Sequence, residues 1–132
     1  MSCVFCDICS QPHLSKVVYR DDVVSCFLPQ KMEVCGHLLI VPNRHWQNIF
    51  DISDEDLVYV MKIAKKMSLR LQTALGATGV NILHASGKSA QQSVSHFHIH
   101  LIPRYDNDGL DAWPKLQEVQ YDREEIFRKL TT

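Results

Sequence analysis

The stretch that decides the fold is Ser95-His96-Phe97-His98-Ile99-His100-Leu101-Ile102-Pro103, in which histidines and apolar residues alternate. Side chains along a β-strand point alternately to two faces, and each residue adds about 3.4 Å, so the histidines would share one face at a spacing of about 6.8 Å. Phe97, Ile99 and Leu101 would take the other face and pack inward. On a helix the same residues would spread around the axis. The alternation therefore predicts a strand over residues 97–102.

The rest of the chain predicts one long helix and further short strands. Ser53 is a good helix N-cap, acidic residues follow it, and apolar residues then recur at three- and four-residue steps as far as Leu75, before Gly76. A short C-terminal helix is predicted to begin near Asp122. The other predicted strands are 17–19, 23–28, 37–41 and 80–83. This order of elements predicts an α+β domain with an antiparallel sheet.

Length, charge and cysteine content limit the function classes. The 132 residues (15.2 kDa) predict a single domain over 1–132. Fourteen Lys and Arg against fifteen Asp and Glu exclude a dispersed basic surface for nucleic acid. The chain lacks an apolar run of the roughly 18–20 residues a membrane helix needs, and its start lacks the features of a signal peptide. Three of five cysteines fall in the first nine residues, which favours metal ligation or reduced thiols and a cytoplasmic location.

Three imidazoles on one strand face are poor core material, because each neutral ring carries a donor and an acceptor that need partners when buried. Two functional interpretations remain open from the residues alone. One is a metal site that uses two or three of the histidines. The other is an anion site with a nucleophilic imidazole. The loop at 84–92 offers hydroxyls, amides and flexible backbone N–H groups, which suit a phosphate or carboxylate better than a metal.

The sequence resembles the histidine triad (HIT) superfamily of nucleotide-binding proteins. The resemblance rests on His-Phe-His-Ile-His-Leu-Ile at 96–102 and on three supporting stretches in family order, at 3–6, 36–45 and 92–94. It implies a five-stranded antiparallel sheet and a homodimer whose two sheets join. It also implies hydrolysis or transfer at the α-phosphate of a nucleotide conjugate, either a nucleoside phosphoramidate or a dinucleoside polyphosphate. The short chain resembles the small stand-alone branch of the family.

The resemblance also implies roles for individual residues. His98 would be the nucleophile, whose imidazole attacks the α-phosphorus to form a nucleotidyl-histidine that water then hydrolyses. The apolar regions around Phe27 and Ile40 would help to form the base pocket. The residues expected to bind the phosphate are His100, Ser93 and Gln92.

Three positions depart from the family pattern, and one of them is Gln91, where the family usually has a Gly. The Asp that commonly holds the ribose hydroxyls aligns with Pro29, and the Asn or Gln that often contacts the scissile bridge aligns with Ala85. Gln30 and Ser86 are the neighbouring residues that can substitute. These losses motivate a second hypothesis, a nucleotide-binding regulatory module with little turnover. A third hypothesis is a metal-dependent hydrolase with the triad as catalytic ligands.

Cys3-x-x-Cys6 is half of a zinc site, although alone it also fits a redox pair or chance. Some bacterial-type members of the family complete such a site with a His after the third strand and with the first triad His. By this resemblance the ligands here are Cys3, Cys6, His45 and His96. A closed Cys2His2 set implies a structural zinc ion with no open position for water.

Overall fold

The structure, a computed structural model, describes residues 2–113 and 115–132, so Met1 and Pro114 of the predicted domain 1–132 lie outside the described residues. The helices are α1 (Val4–Ser10), α2 (Asp54–Leu75) and α3 (Arg123–Thr131). The strands are β1 (Lys16–Arg20), β2 (Val24–Leu28), β3 (Leu38–Pro42), β4 (Gly79–Leu83) and β5 (Ile99–Arg104). They form one antiparallel sheet in the order β1-β2-β3-β5-β4. The predicted α+β fold, with its five-stranded sheet, long helix and C-terminal helix, is confirmed.

The long helix begins and ends where its capping residues predict. The Ser53 side chain accepts a hydrogen bond from the backbone N–H of Asp56, and Gly76 ends the helix in the left-handed conformation at φ +70°. The apolar stripe faces the sheet, and its buried residues are Val60, Ile63, Ala64, Met67 and Leu71. None of the helices in the described part of the chain combines the length and apolarity needed to cross a membrane.

The two faces of the sheet pack against different helices. Phe97, Ile99 and Leu101 share the main core with α2, as the alternation predicts. The opposite face packs against α1, whose Phe5 and Ile8 bury against β2 and β3. The hydrophobic pattern does not predict α1, since seven residues give fewer than two full helical periods. This short helix therefore covers part of the face that carries the histidines.

The triad strand lies two residues later than predicted. The backbone N–H of Phe97 donates to the carbonyl of Trp46 at 2.7 Å, outside the sheet, so β5 begins only at Ile99. His96 and His98 consequently lie in the segment that leads into the strand. Pro103 does not end β5, because there the strand has left β3 and pairs only with β4. Proline is tolerated where one side of a strand is unpaired.

Candidate active site and metal centre

His98 stands on the sheet face opposite the main core, and its side chain is only 5% exposed. Its Nδ1 lies 2.7 Å from the carbonyl oxygen of His96. A carbonyl oxygen can only accept a hydrogen bond, so Nδ1 carries the proton. The ring of Phe5 packs edge-on against it, with centroids 5.1 Å apart. These contacts leave Nε2 with its lone pair and without a hydrogen-bond partner in residues 2–113 and 115–132, and the atom is not sealed from solvent.

Burial and neighbouring groups favour the neutral form of His98, which keeps the lone pair on Nε2. Burial lowers the pKa of His98, the hydrogen bond to the His96 carbonyl works against that effect, and the nearby His84 lowers the pKa further. Attack on phosphorus requires an unprotonated imidazole, so a lowered pKa keeps the reactive form populated at neutral pH. The arrangement is that of an imidazole nucleophile held in one tautomer.

His100 is paired with a fourth histidine, because its Nδ1 lies 3.0 Å from Nε2 of His37. Burial, with the charges of neighbouring histidines, lowers the pKa of His100 to about 4, so its ring is neutral. Nδ1 of His37 is buried without a hydrogen-bond partner in the described residues. A bare acceptor is less costly to bury than an unsatisfied N–H, so we assign the proton of His37 to Nε2. His100 then accepts at Nδ1 and carries its own proton on Nε2, which makes it a donor.

The loop that precedes the triad is held by its own side chains. Gln92 Oε1 accepts from the N–H of Gly87 at 2.8 Å, and its Nε2 donates to the carbonyls of Gln47 and Val94 at 2.7 and 2.9 Å. The backbone N–H of Gln92 also donates to the carbonyl of Gly87. Gln92 therefore braces the loop, and a phosphate contact from it requires one of these bonds to break. Ser93 is exposed, and its hydroxyl has no partner within the described loop.

A cavity of about 690 Å³ lies beside Phe5, the residue whose ring packs against His98. Phe27 and Leu39 line it together with Phe5, and Leu39 lies opposite His100 in the strand register. That the region around Ile40 helps to form a base pocket stays a prediction: its neighbour Leu39 lines the cavity, and Ile40 itself does not. It is fully buried in the core beneath α2, because neighbouring residues on a strand face opposite sides. A separate groove of about 740 Å³ lies between α2 and β1, away from the histidines.

The departures from the family pattern at Pro29 and Ala85 have different surroundings. Pro29 and Gln30 both line the cavity, so Gln30 offers an amide beside a residue that has no side-chain acceptor. Ser86 is not available as a substitute near Ala85. Its hydroxyl lies 2.5 Å from Nε2 of His84 and accepts from the N–H of Ile49 at 2.8 Å.

Four predicted metal ligands come together at the N-terminus of α1. The candidate ligand atoms of Cys3, Cys6, His45 and His96 all lie within 4.8 Å of one another. Nδ1 of His96 is 3.4 Å from Sγ of Cys3 and 3.1 Å from Nδ1 of His45. Burial and the neighbouring thiol raise the pKa of Cys6 to about 11, so without a cation this thiol keeps its proton.

The spacing fits tetrahedral zinc. Zn–S bonds of about 2.3 Å and Zn–N bonds of about 2.05 Å imply S···N edges near 3.5 Å and an N···N edge near 3.3 Å. The measured S···N distances are 3.3–3.5 Å and the N···N distance is 3.1 Å. His96 Nε2 lies 2.8 Å from the carbonyl oxygen of Pro42, so it donates there and leaves Nδ1 free to bind metal. In the part of the chain that the structure describes, His98 and His100 belong to no such cluster, which removes the support for a catalytic metal on the triad.

Two histidines of the site were not assigned from the sequence. His37 follows the same alternation as Leu39 on β3, and this period-two pattern could have placed it on the triad face. His84 lies just beyond the end of β4, and its ring packs on Phe97 with centroids 4.4 Å apart. No pattern within its own segment indicates that contact, which depends on how β4 pairs with β5.

Comparisons with known proteins agree with this geometry. Residues 11–107 match the HIT domain family. A HIT-like protein of Methanocaldococcus jannaschii is 38% identical over 129 residues, which are 97% of this chain and 98% of that protein. The adenosine 5'-monophosphoramidase of Saccharomyces cerevisiae is 36% identical over 124 residues, which are 92% of this chain and 75% of the enzyme.

Two solved structures share the whole architecture. A HIT family protein from Bacillus anthracis superposes with a TM-score of 0.85 at 34% identity, and the match covers 98% of this chain and 93% of that one. A Zn-bound histidine triad family protein from Mycobacterium smegmatis superposes with a TM-score of 0.80 at 31% identity, covering 97% and 89%.

Proposed function

Because the chain belongs to the HIT domain family, we propose that it is a nucleotide hydrolase or transferase acting at the α-phosphate through His98. The observation that carries the proposal is the state of that ring. Its Nδ1–H is held by the His96 carbonyl at 2.7 Å, which leaves a free lone pair on Nε2, and the ring packs against Phe5, a residue that lines the cavity. The phosphoramidase activity named for the yeast relative supports a nucleoside phosphoramidate as substrate.

The reaction has two displacement steps at phosphorus. In the first, the lone pair of His98 Nε2 attacks the α-phosphorus, the bond from phosphorus to the leaving group breaks, and the leaving group takes up a proton from solvent. The His98 ring keeps its Nδ1–H and becomes a cationic nucleotidyl-histidine. In the second, water attacks the phosphorus, the P–N bond breaks with its electron pair returning to Nε2, the nucleotide leaves with the water oxygen, and one water proton passes to solvent. Splitting one displacement into two easier steps is the gain of covalent catalysis.

The phosphate-binding roles follow from which donors are free. The Nε2–H of His100, set by its bond to His37, is available for a phosphoryl oxygen. Ser93 has an exposed hydroxyl that can donate to the phosphate or to the leaving group. Gln92 acts through the loop that it braces. Fixed donors directed at developing charge stabilise the transition state without reorganisation.

A substrate panel tests the proposed activity. We expect turnover of adenosine 5'-phosphoramidates or of dinucleoside polyphosphates, with a nucleoside monophosphate as a product, measured by chromatography over a series of bases and leaving groups. The regulatory alternative, motivated by Pro29 and Ala85, predicts nucleotide binding without product. Nucleotide binding by titration calorimetry, with no product from any member of the panel, would contradict the proposed reaction.

The metal of the cluster is, in this proposal, structural zinc held by Cys3, Cys6, His45 and His96. The support is the fit of the ligand distances to a tetrahedral site and the Zn-bound state named for the mycobacterial relative. With four protein ligands the ion would contribute folding energy and no bound water. The predicted cytoplasmic location belongs to the same proposal, which is supported by five cysteines that form no disulfide with one another.

The proposal includes a homodimer whose sheets join at β4. This strand lies at one edge of the sheet, and its Val80 and Ile82 are 36% and 43% exposed. Leu69 and Leu75 on α2 are exposed as well. An unpaired edge flanked by apolar side chains is a site at which a second chain can add.

Charging that edge should separate the dimer. We expect light scattering to give about twice the 15.2 kDa mass for the wild type and a monomer mass for Ile82→Lys, since a charge would have to be buried in the interface. The matched control is Val18→Lys, at an exposed position on the opposite edge strand, which should remain dimeric. A wild-type monomer at micromolar concentration, or an unchanged mass for Ile82→Lys, would contradict this assignment.

A further inference from the structure

The carbonyl of the nucleophile His98 lacks a partner in the sheet. The register of β4 and β5 ends at Leu83 opposite His100, and continuing it would place Ala85 opposite His98. No backbone hydrogen bond joins these two residues in the described chain. The donor is instead Nδ1 of His84, which lies 2.8 Å from the His98 carbonyl oxygen. A side chain therefore supplies the bond that a longer strand would have made.

A chain of hydrogen bonds fixes the tautomer of His84. The backbone N–H of Ile49 donates to Ser86 Oγ at 2.8 Å, so the hydroxyl hydrogen is free to donate to His84 Nε2 at 2.5 Å. Nε2 is then the acceptor and Nδ1 carries the proton that the His98 carbonyl accepts. The ring also packs on Phe97, at an interplanar angle of 32°. Every polar atom of His84 thus has a defined role.

We propose that His84, with Ser86 behind it, is a positioning residue for the nucleophile, acting through the peptide carbonyl of His98. The inference rests on the proposed function at His98. This hydrogen bond holds the peptide plane between residues 98 and 99, next to the Cα that carries the catalytic ring. It does so where the backbone pairing of β4 with β5 has already ended. His84 packs against Phe97, a core residue, while its two ring nitrogens are taken up by the His98 carbonyl and Ser86, so the role proposed for it acts through the backbone.

Three variants separate positioning from packing. His84→Phe keeps a ring over Phe97 but removes the hydrogen-bond donor. It should lower kcat about tenfold, with KM and melting temperature little changed, because loss of this one hydrogen bond leaves the nucleophile poorly positioned. His84→Asn places an amide N–H where Nδ1 stood, and should restore kcat to within about threefold of wild type. Ser86→Ala removes the donor that fixes the tautomer of His84 and should lower kcat by less than His84→Phe does.

Turnover with melting temperature, and imidazole NMR of His98, test the positioning role independently. Wild-type kcat in His84→Phe, or equal losses of kcat and melting temperature in the Phe and Asn variants, would overturn the positioning role. If the wild type turns over none of the panel, the proposed function fails, and the inference is tested by imidazole ¹⁵N NMR instead. We expect the His98 ring signals of wild type and His84→Asn to report a single Nδ1–H tautomer, and those of His84→Phe to shift and broaden. Identical His98 spectra in all three proteins would overturn it.

Discussion

Replacing His98 with Ala should lower kcat by about 10⁴-fold or more while nucleotide affinity stays within a few-fold of wild type. The loss is large because the residue supplies the bond-forming lone pair, and without it the two-step route is closed. Binding persists because the cavity, lined by Phe27 and Leu39, and the donor on His100 do not depend on this ring. Single-turnover assays and titration calorimetry with the nucleoside monophosphate measure the two quantities.

Chemical rescue distinguishes a lost nucleophile from a damaged site. His98→Gly leaves a gap beside Phe5, which packs edge-on against the native ring. Added imidazole should restore part of the turnover of this variant and release a nucleotidyl-imidazole. An unchanged melting temperature in both variants is the control for folding. Wild-type turnover in His98→Ala would remove His98 from the mechanism.

Loss of the zinc ligands should have the largest effect on stability. We expect Cys6→Ser to lower the zinc content from about one equivalent to near zero and to lower the melting temperature by about 10 °C or more, because metal binding to the folded state alone is folding free energy. The matched control is Cys35→Ser, an exposed thiol outside the cluster, which should keep the metal and the wild-type melting temperature. Elemental analysis and thermal denaturation provide the readouts.

Removing the zinc ion should also reduce turnover, although the ion takes no part in the chemical steps. In the proposed zinc site His96 is a ligand, and its carbonyl also accepts the Nδ1–H of His98 at 2.7 Å. Stripping the ion would loosen that carbonyl and slow the reaction, with residual turnover that depends on His98. Full-length protein purified with less than about half an equivalent of zinc, and with the melting temperature of the metal-loaded form, would contradict a structural zinc site.

Much of the fold was readable because its signals are local. The alternation at 96–102 specifies which side chains face the core, and the cap residues Ser53 and Gly76 specify where α2 begins and ends. The cysteine pair and the triad also indicated the four candidate metal ligands that the structure brings together, while His98 as the nucleophile stays a prediction. Each of these features depends on residue types within a few positions of one another.

The remaining features depend on contacts between segments distant in the sequence. The start of β5 is set by the bond from Phe97 to Trp46, and the partner of His100 is His37, 63 positions away. The role of His84 depends on where the β4–β5 ladder stops. Which residue of the Ile40 region faces the cavity also depends on the sheet, since a single-residue step from Leu39 to Ile40 separates the cavity side from the core.

The most direct test of the account is the mass of the enzyme during turnover. Acid-free quenching of wild type with an adenosine 5'-phosphoramidate, followed by peptide mapping, should detect a peptide heavier by one adenylyl group and locate the group at His98. The adduct should be absent from His98→Ala. An adenylyl group on another residue, or turnover that passes through no covalent adduct, would contradict the claim that the central histidine bonds to phosphorus.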